Sequence, residues 1–299
     1  MTRVYGTPAA FRQALESRLR ERSAEDGVAL ARLRQLLVFD RFLARVSAVF
    51  GDRVTLKGGL VIEHRLHRAR TTKDVDLQIL ASPGSVLERL RDAGRTDLGD
   101  FLRFEVGEDP RHHAIQAEGM LYQGRRFRAR ALLAGKLYGS PFGVDVAFAE
   151  PMTGVVERVR GTDLLSFAGV EPPTFRIYPV EAHIAEKLHA YTLPRAALNS
   201  RVKDLPDLAL LGQVRRLEAA SIREAIRETF AGRETHEPPA SLPDAPSEWK
   251  PVYERMARLD DLPWPTLEAL TDAVRAFIDP VLAGGSGRWS PEDWRWVPG

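Results

Sequence analysis

The 299-residue chain contains no cysteine, which excludes disulfide frameworks, thiol nucleophiles and zinc–thiolate sites. It has no run approaching the roughly 18–20 apolar residues that a membrane-spanning helix needs, so no membrane partner is expected. Neither sign of charge dominates: 43 Lys and Arg stand against 41 Asp and Glu, a formal net of +2. Such a balance does not by itself mark a nucleic-acid binder. The first twenty residues are too polar for a signal peptide, and a soluble, cytoplasmic protein is expected. Internal repeats and low-complexity tracts are also lacking. What remains is ordinary globular composition, 44% hydrophobic and 28% charged, in a length that suits one large domain or two smaller ones.

Apolar spacing predicts a helix over 8–24, with Phe11, Leu15 and Leu19 on one stripe and Thr7-Pro8 as its start. A second helix is expected from Val28 to Phe50. Val54 to Gly59 then reads as a short extended run ending in two glycines, with a short helix from Leu60 to Leu66. Thr72 to Ile79 alternates as a strand, Val75, Leu77 and Ile79 to one side, Asp74, Asp76 and Gln78 to the other. A helix over 83–95 and strands near 125–134 and 142–149 follow, the strands joined by a turn region at Tyr138-Gly139-Ser140-Pro141. In the second of these, Asp145 lies opposite Val144 and Val146. Beyond Pro179 the pattern is helical, near 180–193, 204–213, 221–231, 248–259 and 265–283, with a proline-rich loop over 235–247. The tail holds Trp289, Trp294 and Trp296 and is expected to dock on the body.

The informative chemistry is Gly58-Gly59 after a strand, followed by Asp74-Val75-Asp76 on another. Two carboxylates two residues apart on a strand share a face about 6–7 Å apart, a spacing that suits Mg²⁺ bridged to a triphosphate. Glycines permit backbone N–H groups to approach phosphate oxygens closely. Asp145 could complete a carboxylate triad. The bland alternative is a half-exposed strand with two surface aspartates.

The ordered set resembles the nucleotidyltransferase superfamily of the DNA polymerase beta type. Lys57-Gly58-Gly59-Leu60 through Arg70-Thr71-Thr72-Lys73-Asp74-Val75-Asp76-Leu77 resembles more narrowly the AbiEii/AbiGii toxin family, which includes the mycobacterial MenT proteins. That family supplies the toxin of bacterial two-gene abortive-infection and toxin–antitoxin systems. Ala185-Glu186-Lys187-Leu188-His189-Ala190 resembles its lysine-bearing helix, and Arg201-Val202-Lys203-Asp204-Leu205-Pro206-Asp207-Leu208 its last aspartate motif. Leu60 stands where many members carry a small hydroxyl residue.

The resemblance implies an α/β fold: a small mixed-sheet core over 51–175, an N-terminal helical segment over 1–50 and a C-terminal helical domain over 176–299. It implies Asp74, Asp76, Lys187 and Asp204 as catalytic, with Asp74, Asp76 and Asp145 on the metal. Lys57, Gly58, Gly59, Thr72, Asp145 and Asp207 would bind the nucleotide. The implied activity is Mg²⁺-dependent transfer of a nucleotidyl group from an NTP to RNA, the tRNA 3′ end in particular, blocking translation under control of a cognate antitoxin. Transfer to a protein or small molecule, phosphorylation of the antitoxin and an inactive nucleotide-binding module are the rivals.

Three groups carry competing structural readings. Lys187 lies beside an apolar stripe; the alternative to the role the resemblance implies is a snorkelling surface lysine with little effect on stability. Asp204, with Pro206 and Asp207 after it, also fits a helix cap. Arg126, Arg128 and Arg130 share one strand face, either a charged edge or a phosphate-reading surface. His64, His67, His112 and His113 lack metal spacing and read as surface groups.

Overall fold

The computed structural model describes residues 4–66, 71–110, 114–115, 124–148, 154–194 and 201–298. His67, Arg70, His112 and His113 lie outside them. The chain opens with α1 (Pro8–Asp26) and α2 (Leu30–Phe50). Thr7 caps α1 through its hydroxyl, which accepts from the Ala10 N–H, and Gly27 ends it in the left-handed region. The alternating segment follows as β1 (Val54–Lys57), α3 (Gly58–Leu66), β2 (Asp74–Ile79) and α4 (Val86–Arg95). Next come β3 (Leu102–Glu108), β4 (Ala114–Ile115), β5 (Gly124–Leu133), β6 (Lys136–Ala147), β7 (Glu157–Arg160) and β8 (Thr174–Ile177).

These strands form one mixed sheet in the order β3-β5-β6-β2-β1-β8-β7, with β4 also on β5. β2 runs parallel to β6 and β1 parallel to β8, whereas β1–β2 and β5–β6 are antiparallel. Val75, Leu77, Ile79, Val144 and Val146 are buried in the same core as Phe11, Leu37, Phe39 and Phe42. The N-terminal helices therefore cover one sheet face, and the carboxylates of β2 point to the other.

Two expectations change here. Tyr138 to Pro141 is not a turn; it lies inside β6, whose hairpin with β5 closes at Ala134-Gly135, both with positive φ (54° and 72°). A two-residue turn of that hand suits the twist of the strands, but alanine in such a position gives no turn signal. Gly139-Ser140-Pro141 instead forms the register shift between the pairs Ala131–Tyr138 and Ala129–Phe142. Nor is β5 a solvated edge, since β3 and β6 flank it.

The second half comprises α5 (Val180–Thr192), α6 (Asp204–Gly212), β9 (Leu217–Glu218), α7 (Ala219–Arg233), α8 (Lys250–Asp260) and α9 (Leu267–Leu282). It closes with β10 (Arg288–Ser290) and β11 (Arg295–Val297), which join β9 in a small sheet. A second core gathers Ile184, Leu188, Leu208, Phe230, Tyr253, Phe277 and Trp289. The tail docks as expected: the indoles of Trp289, Trp294 and Trp296 donate to the carbonyls of Gly212, Ala273 and Phe277. Each ring buries apolar area without leaving its N–H unpaired.

His64 is not a surface group. It is buried at the end of α3, with Nε2 3.2 Å from Asp40 Oδ1 and its ring against Phe175. A hydrophilic residue on a short helix gives no sign of which turn the sheet covers.

Candidate active site

β1 delivers Lys57 and turns directly into α3 at Gly58, whose φ is +69°. A Cβ there would lie 1.9 Å from Asp76 Oδ2, so both the backbone conformation and the space demand glycine. A second glycine does the same for the other carboxylate. Gly143 donates its N–H to Asp74 Oδ1 at 3.2 Å, and a Cβ on it would come within 2.5 Å of that oxygen. Each aspartate of the D-x-D strand thus lies over a bare stretch of backbone.

Sheet register aligns the charges across strands. Lys57 pairs with Asp76, Asp76 with Asp145 and Asp145 with Arg126. Paired residues point to the same face, so one row reads cation, carboxylate, carboxylate, cation. Arg126 donates to both oxygens of Asp145, at 2.6 and 2.5 Å. Those bonds, against some desolvation, raise the already high pKa of the guanidinium. One pleat along, Asp74 pairs with Gly143 and Gly143 with Arg128, which is exposed.

The helices close the other side through adjacent residues of α5. Glu186 accepts from Lys57 Nζ at 2.8 Å and from the Tyr178 hydroxyl at 2.9 Å, with Arg233 Nη2 3.2 Å away. Burial would raise the Glu186 pKa, but the charges of Lys57 and Arg233 outweigh it and hold the group down to about 2. Lys57 Nζ also lies 4.3 Å from the centre of the Tyr178 ring, a cation–π contact.

Lys187, the next residue, reaches α6, with Nζ 2.9 Å from Asp204 Oδ1 and 2.8 Å from Asp207 Oδ2. Both carboxylates are buried, so the snorkelling account of Lys187 fails: its ammonium is in the protein, not in water. The capping account of Asp204 fails as well. Lys203 occupies the N-cap position of α6, and no side-chain cap bond forms. Asp204 Oδ2 is buried with no hydrogen bond, and Arg201 Nε lies 4.0 Å from it. His183, one turn before Lys187, is held neutral, its pKa pushed down to about 3 by burial and by Lys187.

The family described as "Nucleotidyl transferase AbiEii toxin, Type IV TA system" matches residues 41–280. The chain belongs to the AbiEii family. As an AbiEii protein it is a nucleotidyltransferase toxin of a type IV toxin–antitoxin system, and its matched region contains both charge clusters. The MenT4 nucleotidyltransferase toxin from Mycobacterium tuberculosis shares its fold, with a TM-score of 0.54 and 18% identity over 90% of this chain and 98% of that one. JHP933 from Helicobacter pylori aligns with a TM-score of 0.47 and 13% identity, over 84% of this chain and 94% of that one. No curated protein matches the sequence. No helix among the described residues of this AbiEii chain is long and apolar enough to cross a membrane.

Nucleotidyltransferases generally use a nucleoside triphosphate and a divalent cation, and the donor set here fits such an ion as a pair. Asp74 and Asp76 offer hard oxygen ligands on the same sheet face, each packed over a glycine where a Cβ would collide with it. Asp145, expected to complete a triad, instead spends both oxygens on Arg126. Among the described residues no group of three His, Asp or Glu side chains stands ready to hold a metal ion. Thr72, expected to touch phosphate, aims its hydroxyl at the Asp74 carbonyl, 3.4 Å away. Sequence reasoning missed Glu186, Tyr178 and Arg233; only Glu186, beside Lys187 in the quoted motif, carried any signal.

Proposed function

We propose that the enzyme transfers a nucleoside monophosphate from an NTP, with Mg²⁺, to an RNA acceptor, the 3′ end of tRNA. It would thereby block aminoacylation and translation in the cytoplasm, as the toxin arm of an abortive-infection response restrained by its antitoxin. The observation that carries this reading is the pair Asp74 and Asp76, each seated over a glycine, with Asp76 in register with Lys57. We take the chain as a core over 51–175 between the helices of 1–50 and 176–299.

Asp74 and Asp76 would hold the metal, which when bound would neutralise charge on the triphosphate. Lys57 binds the triphosphate from β1, and Lys187 acts from α5. The acceptor hydroxyl forms its bond to the α-phosphorus as the bond to the bridging oxygen of the β-phosphate breaks, and pyrophosphate leaves. The hydroxyl proton passes to Asp204, whose Oδ2 has no hydrogen bond of its own. Arg128, exposed and one glycine away from Asp74 in register, gives an RNA phosphate a cation beside the reacting group.

Incubating the protein with total RNA and each α-labelled NTP tests the reading, with Asp74→Asn and Asp76→Asn as inactive controls that keep the fold. Label in tRNA is expected. Label in a protein instead would move the acceptor, and label that follows only γ-labelled ATP would replace nucleotidyl by phosphoryl transfer.

A further inference from the structure

Arg233, the last residue of α7, does more than contact Glu186. Its Nη1 donates to Nδ1 of His189 at 3.2 Å, which fixes the tautomer of that buried ring. Because Nδ1 accepts, the ring proton sits on Nε2, 2.7 Å from Thr235 Oγ1. The Thr235 hydroxyl then donates to Nδ1 of His236 at 3.0 Å, and His236 Nε2 donates to Thr192 Oγ1 at 2.8 Å. Thr192 ends the series on the Leu188 carbonyl at 3.0 Å. Every hydroxyl and ring N–H points the same way, and burial lowers the His236 pKa, which keeps that ring neutral. Glu234, with φ of 49°, turns the chain so that Thr235 and His236 fold back onto α5.

The consequence lies at the other end of the series. Two cations, Lys57 and Arg233, share the one carboxylate of Glu186, so these three groups carry a formal charge of +1 beside Asp76, the carboxylate in register with Lys57. The neighbouring cluster carries no such excess, since Lys187 and, at 4.0 Å, Arg201 balance the two carboxylates of Asp204 and Asp207. A polyanionic triphosphate is therefore drawn to the Lys57 corner.

We propose that Arg233 is a positioning residue for the nucleotide phosphates. By taking part of Glu186, it keeps Lys57 from collapsing into a neutral pair with that carboxylate and leaves its charge for the substrate. The hydrogen-bonded series from His189 to Leu188 holds Arg233 in that posture. The inference rests on the reading of Lys57 as the triphosphate cation.

Calorimetric titration of the full-length protein with a non-hydrolysable α,β-methylene NTP tests it. Arg233→Ala is expected to raise Kd roughly tenfold or more, the loss typical of a charge-assisted contact, and to flatten the salt dependence of binding. The rate at saturating NTP should change far less than KM. Arg233→Lys, which keeps the charge but not the fork to His189, should recover part of the affinity. His189→Leu should shift Kd in the same direction by less, and it reads the same effect if Arg233→Ala does not fold. Wild-type affinity in Arg233→Ala would overturn the proposal. So would a fall in melting temperature shared by the Ala and Lys variants with no change in the ratio of kcat to KM effects, the mark of a merely structural role. Failure of the wild-type protein to bind the analogue is a different result: it would overturn the reading of Lys57 and this inference with it.

Discussion

Arg126 Nε and Nη2 hold Asp145 Oδ1 and Oδ2 at 2.6 and 2.5 Å, directly beside Asp76 in the register of the sheet. The guanidinium thus supplies positive charge where a third metal ligand was expected. It competes with a metal for the same oxygens. Arg126→Gln is therefore expected to tighten Mn²⁺ binding in the absence of nucleotide by roughly tenfold, about the worth of one charge-assisted hydrogen bond. Titration calorimetry measures it, and an unchanged affinity would take Asp145 out of the metal's field altogether.

Lys187 sets a stability prediction against the sequence expectation. Beside an apolar stripe it looks dispensable, but its removal takes away the ammonium that bridges the buried carboxylates Asp204 and Asp207. Breaking a buried pair from one side costs about 3–5 kcal/mol. Lys187→Met should therefore lower the melting temperature markedly and reduce transfer by roughly 10²-fold or more, the loss expected for a preorganised charge. Lys187→Met with Asp207→Asn restores the net charge of the cluster, and should regain stability without regaining transfer. Recovery of both would make the lysine structural alone.

Asp100 gives the fold an acid limit. It is fully buried between Arg41 Nε at 2.6 Å and both terminal nitrogens of Arg45 at 2.9 and 2.5 Å. Burial pushes its pKa up, but the hydrogen bonds and charges of Arg45 and Arg41 prevail and the pKa is lowered. A carboxyl with a depressed folded pKa stabilises the protein fully above its unfolded value of about 3.9. That contribution is lost as pH falls through the folded value. Asp100→Asn should cost about 3–5 kcal/mol near neutral pH, because two buried guanidinium groups lose their counter-ion. It should also unfold with a shallower dependence on pH below 4. Denaturant melts from pH 2 to 7 measure both, and parallel curves for the two proteins would contradict the assignment.

The difference between what was legible in the sequence and what was not follows the range of the interaction. The D-x-D strand was legible because alternation is local: Val75, Leu77 and Ile79 are buried, and Asp74 and Asp76 face the other way. The start of α1 was legible for the same reason, since Thr7 caps a residue three positions on. Lys57 and Glu186 are 129 positions apart, and Arg126 and Asp145 are 19 apart on neighbouring strands. Such partners depend on sheet order and register, which no local pattern encodes. The alternation of Arg126, Arg128 and Arg130 was likewise sound, but whether each faced solvent or an acid depended on β3 and β6 beside them.

That last distinction divides the three arginines. Arg126 is committed to Asp145, and Arg130 donates to Glu105 across β3. Arg128 pairs in register with Gly107 on one side and Gly143 on the other, so neither neighbour offers a side chain to neutralise it. If RNA lies across this face, Arg128 carries the phosphate contact. Each phosphate neutralised contributes about −0.7 to −0.9 to the slope of log affinity against log salt. Arg128→Gln should weaken RNA binding at low salt and reduce that slope by roughly one contact's worth, with NTP binding unchanged. Arg130→Gln should do much less, since it first frees Glu105 and only then loses a cation. Fluorescence anisotropy with labelled tRNA across a salt series separates the two. Equal small effects from both variants would move the RNA surface away from β5, to the helices of the second half.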